Sequence, residues 1–271
     1  SLQLNMLITQ TPDLPSFQSV AASWVSQDFF HQQFQKNRKL FCDLTRGAWM
    51  RSGLPVLDAY TRQTLLDNIL RGGQPQLLAT KQGLKGFYAY TRKHGDLERD
   101  YNPFKIAPTY WSQGNGNFRD IAQNRRCDVC LWPELGMDTA LDFLNLIQLD
   151  GHNPLVIEGL RFNLTPQSDL RTLARYFTDE VRGLHFLEAS QNQPYAPGAF
   201  WDAIGQASLT LKGAPDVFLD AWLAQCDCDE CASFTEGYWS DHWHYVIDLI
   251  EAALSIYPER QYEFFFKEDA V

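Results

Sequence analysis

The run Gly114-Asn115-Gly116-Asn117-Phe118-Arg119-Asp120-Ile121-Ala122-Gln123-Asn124 carries side chains suited to holding a sugar ring. A pyranose offers a C–H face to an aromatic surface and equatorial hydroxyls to two-pronged polar groups. Arg119 supplies a fork of donors, Asp120 can accept from vicinal hydroxyls, and Gln123 and Asn124 each supply both a donor and an acceptor. Trp111, just upstream, provides the flat apolar face, and the two glycines allow positive φ and close backbone approach. The same residues also suit a polar loop running into a salt-bridged helix start, and residue types alone leave both readings open.

A second cluster, Glu236-Gly237-Tyr238-Trp239-Ser240-Asp241-His242-Trp243-His244-Tyr245, packs carboxylates, imidazoles and indoles together. A carboxyl group among aromatic rings has its charged form disfavoured, which suits it to donate a proton. Asp241 is the candidate general acid and Trp239 a second stacking surface. Capping explains the same residues equally well, with Ser240 as N-cap and Asp241 complementing the helix dipole.

The third pattern is Cys127-x-x-Cys130 with Cys226-x-Cys228-x-x-Cys231, which could together hold a structural zinc through thiolates. The gap between the two clusters is far longer than in a zinc ribbon, so free thiols or a local disulfide remain alternatives. The sequence contains no P-loop, no dinucleotide fingerprint, no Gly-x-Ser-x-Gly elbow and no His-Glu-x-x-His. The common cofactor classes are therefore not expected.

The elements that must position these residues read as helices. Apolar residues recur at three- and four-residue steps over 16–44, with a break expected near Asp28, and over 56–70, where Arg71, Gly72 and Gly73 signal the stop. Further helices are predicted over 138–149, 166–180, 197–205, 216–225 and 241–257. Residues 77–92 read as a short hairpin or an irregular segment, and 101–116 as a long structured loop. No other strand-rich region stands out, so the expected class is all-α.

Composition narrows the function. The 271 residues are 45% hydrophobic and 14% aromatic, enough for a large core. A net charge of −10 argues against nucleic acid or anionic lipid as a general partner, since phosphate binding needs clustered Lys and Arg. The apolar stretches 140–149 and 246–254 are short and interrupted by charges, so no membrane partner is expected. The first residues lack the pattern of a secretory signal, and six cysteines are too few for a disulfide scaffold, which together point to the cytoplasm.

At the level of motifs the chain resembles inverting glycoside phosphorylases. Phe118-Arg119-Asp120-Ile121-Ala122-Gln123-Asn124 is similar to the Arg-Asp-x-x-Gln-Asp segment of cellobiose phosphorylase and its relatives. With Asp58-Ala59-Tyr60-Thr61-Arg62-Gln63, Arg71-Gly72-Gly73 and Asp150-Gly151-His152-Asn153-Pro154-Leu155, the pattern looks most like the β-1,3-glucan phosphorylase branch. Trp239-Ser240-Asp241-His242-Trp243 is similar to that clan's Ser-Asp-Asp-x-Leu-Trp stretch. Asn124 stands where the family has an Asp.

The resemblance implies an α/α barrel catalytic domain of six helical hairpins, of which 1–271 is a part, with an oligosaccharide or glucan bound at the barrel mouth. It implies reversible phosphorolysis of β-glucosidic bonds to α-glucose 1-phosphate with inversion, inorganic phosphate being the nucleophile and Arg119 a sugar contact. Twelve helices need roughly 300 residues or more, so a longer chain is expected, with the family's acid motif and phosphate site beyond Val271. Trp239-x-Asp241 has the spacing of that acid motif. A hydrolase of the same barrel type and a non-catalytic carbohydrate-binding remnant are the alternatives.

Overall fold

The computed structural model describes residues 6–8, 11, 14–89, 104–107, 109, 111–234 and 239–267. The chain divides into two compact units, Ser1–Ile69 and Leu70–Val271.

The first unit contains α1 (Leu14–Trp24), α2 (Gln27–Leu44) and most of α3 (Pro55–Gly72). The break in the first periodic stretch falls at Val25 and Ser26, slightly ahead of the expected place. Ser26 caps α2, its Oγ accepting from the Phe29 N–H at 3.1 Å. The residues of the 58–63 motif have structural work here. Asp58 accepts from the Ser52 N–H at 2.9 Å and hydroxyl at 2.6 Å at the start of α3. Arg62 lies over the Phe41 ring, 4.7 Å from its centroid, and donates to the buried Thr45 hydroxyl at 3.4 Å.

The second unit overturns the all-α expectation, and with it the six-hairpin barrel. After Gly73, at φ +75°, β1 (Pro75–Thr80) and β2 (Gly83–Tyr88) form the antiparallel hairpin that residues 77–92 allowed; residues 90–92 lie outside the described ones. A second antiparallel sheet takes the order β3–β4–β5, from β3 (Gly116–Asn117), β4 (Val156–Leu164) and β5 (Cys226–Ser233). Neither β4 nor β5 is among the expected elements. The alternation in β4 is interrupted by a bulge between Ile157 and Gly159, which obscures the period-two signal. The fold is therefore mixed α and β.

Two cores build on this sheet. Leu160, Phe162, Leu164, Cys226 and Cys228 pack into one core with α7 (Leu170–Ala174), α8 (Glu180–Ala189), α9 (Pro197–Gln206) and α10 (Pro215–Leu223). Phe200 and Trp222 stack at its centre, 4.1 Å apart and 9° from parallel. The stretch 166–180, expected as one helix, holds only the short α7, and a new helix starts where Asp179 accepts from the Arg182 N–H at 3.0 Å. The other core gathers Ile157 with α4 (Phe118–Arg125), α6 (Asp138–Asn145), α11 (His242–Ile256) and α12 (Gln261–Phe266), and the short α5 (Asp128–Leu131) lies against α11. No helix among the described residues is long and apolar enough to cross a membrane.

Candidate functional site

The polar run 113–124 is tied down residue by residue. Gln113 Oε1 accepts from the Leu160 N–H at 2.8 Å, filling the bulge in β4, where Gly159 has φ +97° and a Cβ would come within 2.6 Å of that oxygen. Gly114 has no room for a side chain, since a Cβ would meet the Phe104 ring. Asn115 Oδ1 accepts from the Lys105 N–H at 2.7 Å, and Gly116 and Asn117 pair with Ile157 and Val156 as strand β3. The loop is thus held as an extension of the sheet.

Helix α4 starts directly from this strand. Asn117, its N-cap residue, makes no capping bond and instead donates through Nδ2 to Asp120 Oδ2 at 3.0 Å. Asn124 Nδ2 donates to the Asp120 carbonyl at 2.6 Å, and Arg119 Nε lies 3.9 Å from Asp120 Oδ1. Arg119 and Asp120 are partly open, with side chains 25% and 17% exposed, so both can still meet a ligand. Gln123 is exposed on the same helix.

Two other motif segments converge on the same place. Phe118, fully buried, stacks on His242 with centroids 4.9 Å apart and planes 15° from parallel. His242 Nδ1 sits 2.6 Å from Asn153 Oδ1, and Asn153 Nδ2 reaches the Trp239 carbonyl at 3.5 Å. Segments 117–124, 150–155 and 239–243 therefore meet in space. Phe118 serves this junction from inside and does not line an open mouth.

Trp239 is 44% exposed beside the junction. Asp241 is the N-cap residue of α11, the position expected for Ser240, makes no side-chain capping bond, and lies 3.5 Å from the Tyr245 hydroxyl. Residues 236–238, which the sequence placed in the second cluster, lie outside the described residues. Trp111 is not brought to the junction. Its backbone has φ +54°, its ring packs on Phe87 at 5.8 Å, and it lines a separate cavity of about 250 Å³ with Trp201 and Asp216.

Behind α4 lies an ionic network that the sequence did not disclose. Lys85 bridges Asp138 at 2.5 Å and Asp142 at 2.6 Å, all three side chains largely buried. Burial pushes Lys85 down, but Asp142 and Asp138 outweigh it and its pKa is raised. Asp142 is pushed up by burial and by Asp138, with Lys85 pulling the other way. Arg125 ends α4 with its guanidinium 4.0 Å over the Tyr88 ring and 3.7 Å from Glu230 of β5, both charged side chains being 3% exposed. Burial raises Glu230, and Arg125 opposes that rise. The only sequence signal for this network was the four-residue spacing of Asp138 and Asp142, which puts both carboxylates on one helix face.

The cysteines separate by environment. Cys127 and Cys130 are exposed at the junction of α4 and α5, whereas Cys226 and Cys228 point inward from β5 and have thiol pKa values raised chiefly by burial. All six are free thiols. Among the described residues, no group of three or more His, Cys, Asp or Glu side chains is placed to hold a metal ion.

Compared with known proteins, the chain matches no family model, no curated protein and no solved structure.

Proposed function

We propose that this chain handles the sugar in a carbohydrate-active enzyme that phosphorolyses β-glucosidic bonds reversibly, giving α-glucose 1-phosphate with inversion. The observation that carries the reading is the meeting of three motif segments, far apart in sequence, at Phe118, Asn153 and His242. Capping or loop chemistry would explain each segment separately but gives no reason for them to share one place. Arg119 and Asp120 grip adjacent sugar hydroxyls at the edge of this junction, with Gln123, Asn124 and Trp239 completing the polar and stacking contacts. In the reaction, phosphate attacks the anomeric carbon as a carboxylic acid protonates the departing oxygen, so one acid suffices. Asp241 is the candidate for that acid within this chain. Six thiols without a disulfide fit a reducing compartment such as the cytoplasm.

The test is to supply α-glucose 1-phosphate and laminaribiose and to follow phosphate release, with Arg119→Ala and Asp241→Asn alongside. Phosphate release lost in both variants supports the assignment. Release of free glucose from laminari-oligosaccharides without any need for phosphate would make the chain a hydrolase. Sugar binding without turnover would leave it a binding portion and remove Asp241 from the acid role.

A further inference from the structure

We infer that the cavity between the loop bearing Trp111 and the starts of α9 and α10 is a second sugar subsite, built to take a neutral pyranose ring. It encloses about 250 Å³, and its walls are Trp111, Trp201, Pro197, Pro215 and Leu219, with Asp216 at the start of α10. Two indoles and an aliphatic wall suit the C–H faces of a pyranose, while Asp216 accepts from hydroxyls. Gly198 also lines it, at the second position of α9.

The placement of Trp111 is an independent observation. A bulky side chain at φ +54° is a strained conformation, of the kind that persists where the surroundings hold it and that clusters at ligand sites. Here they do: the Trp111 ring packs on Phe87, and Gln113, two residues on, is locked into β4 through the Leu160 N–H. On the far side, Trp201 follows Phe200, which is fixed in the Trp222 stack. Both indoles are thus anchored to the same core.

The charge of the lining selects the ligand class. Among the described residues that line it none is cationic, and Asp216 is anionic, so inorganic phosphate is disfavoured despite the two helix starts. A quaternary ammonium would be attracted by an indole and a carboxylate, and it serves as the competing outcome. The choice of a β-glucoside as the sugar rests on the proposed function, whereas the presence of a pyranose subsite does not.

The full chain is titrated with laminaritriose while tryptophan fluorescence is followed, and choline and inorganic phosphate are titrated in parallel. Saturable binding of laminaritriose is expected, weakened about tenfold or more by Trp201→Ala and measurably by Asp216→Asn, with Trp201→Phe retaining most of the affinity. Asp216 is exposed, so Asp216→Asn decides between the outcomes if Trp201→Ala does not fold. A flat laminaritriose titration, saturation by choline or phosphate instead, or folded Trp201→Ala and Asp216→Asn variants with unchanged affinity would each overturn the subsite. Sugar binding by a chain that shows no glucose 1-phosphate chemistry would sink the phosphorolysis reading and leave the subsite intact.

Discussion

His242 lies flat against Phe118 and sits 2.6 Å from Asn153, so one buried imidazole joins the start of α4, the turn before β4 and the start of α11. Its stacked ring fills apolar space, while the Nδ1 contact to Asn153 Oδ1 satisfies a polar atom that burial would otherwise leave costly.

Asn153→Ala is expected to cost about 1–3 kcal/mol of stability by taking that partner from the buried nitrogen. His242→Phe keeps the stack and removes the nitrogen, but leaves Asn153 Oδ1 without this contact, so it too is expected to destabilise the fold. The double variant Asn153→Ala/His242→Phe should lose less than the sum of the two single losses. Urea unfolding of the four proteins checks this, and simple additivity would mean that the contact carries no coupling.

Lys85 compensates two buried carboxylates, so its removal and theirs should differ in size. Lys85→Met leaves Asp138 and Asp142 facing each other and is expected to cost about 3–5 kcal/mol. Asp142→Asn keeps a hydrogen-bonding partner and relieves the like-charge contact, and should retain most of the stability. Equal losses by denaturant titration would show that the network is not electrostatically organised as described.

Asp128 gives a pH dependence of defined sign. Burial pushes its carboxyl from 3.8 up to about 7, with Tyr88 and Arg125 pulling it only part of the way back. The folded chain therefore holds this proton where the unfolded chain has released it. Its stabilising contribution is complete below about pH 4 and is lost as the pH rises through about 7. Asp128→Asn should remove that decline, so the stability of the variant relative to the parent increases from pH 4 to pH 8. A difference that is flat with pH would exclude the shift.

Arg119 and Asp120 separate a site from a salt bridge. If they grip a sugar, Arg119→Ala and Asp120→Ala should each weaken laminari-oligosaccharide binding by about 1–3 kcal/mol, Arg119→Ala with little change in melting temperature and Asp120→Ala with some loss of stability, because the buried Asn117 Nδ2 loses its Asp120 Oδ2 acceptor. Their separation of 3.9 Å and their partial exposure make the bridge itself a minor stabiliser. Lower melting temperatures with unchanged sugar affinity on the folded fraction would reverse the assignment.

Much of the helical framework was legible in the residues. The periodicity of α2, α3, α9, α10 and α11 and the glycines at the end of α3 give their places nearly to the residue, because each buries one stripe on a core. Strand β5 was not legible, for a specific reason. Cys226-x-Cys228 resembles metal-ligand spacing, yet the same interval is the period of a strand, and the two thiols act as small apolar side chains facing the core between outward Asp227 and Asp229. Strand β4 was hidden by its bulge, where Gln113 from a distant loop occupies the place of a regular strand neighbour. The barrel was implied by the resemblance and by no periodicity of its own. Within the candidate sites, Trp111, Arg119 and Asp120 could be picked out by type and spacing, whereas Trp201 and Asp216 could not, because only the packing of α9 and α10 brings them opposite Trp111.

The clamp of Gln113 in the β4 bulge also bears on how fast a ligand is taken up. Since the strand fixes the loop two residues after Trp111, that wall of the cavity stands in place before anything enters, and arrival needs no preceding rearrangement. Stopped-flow mixing with laminaritriose should then give a single exponential whose rate rises linearly with sugar concentration. Gly159→Ala places a methyl group 2.6 Å from Gln113 Oε1 and would unseat the clamp. In that variant the observed rate should level off at high sugar concentration, set by the time the loop takes to return.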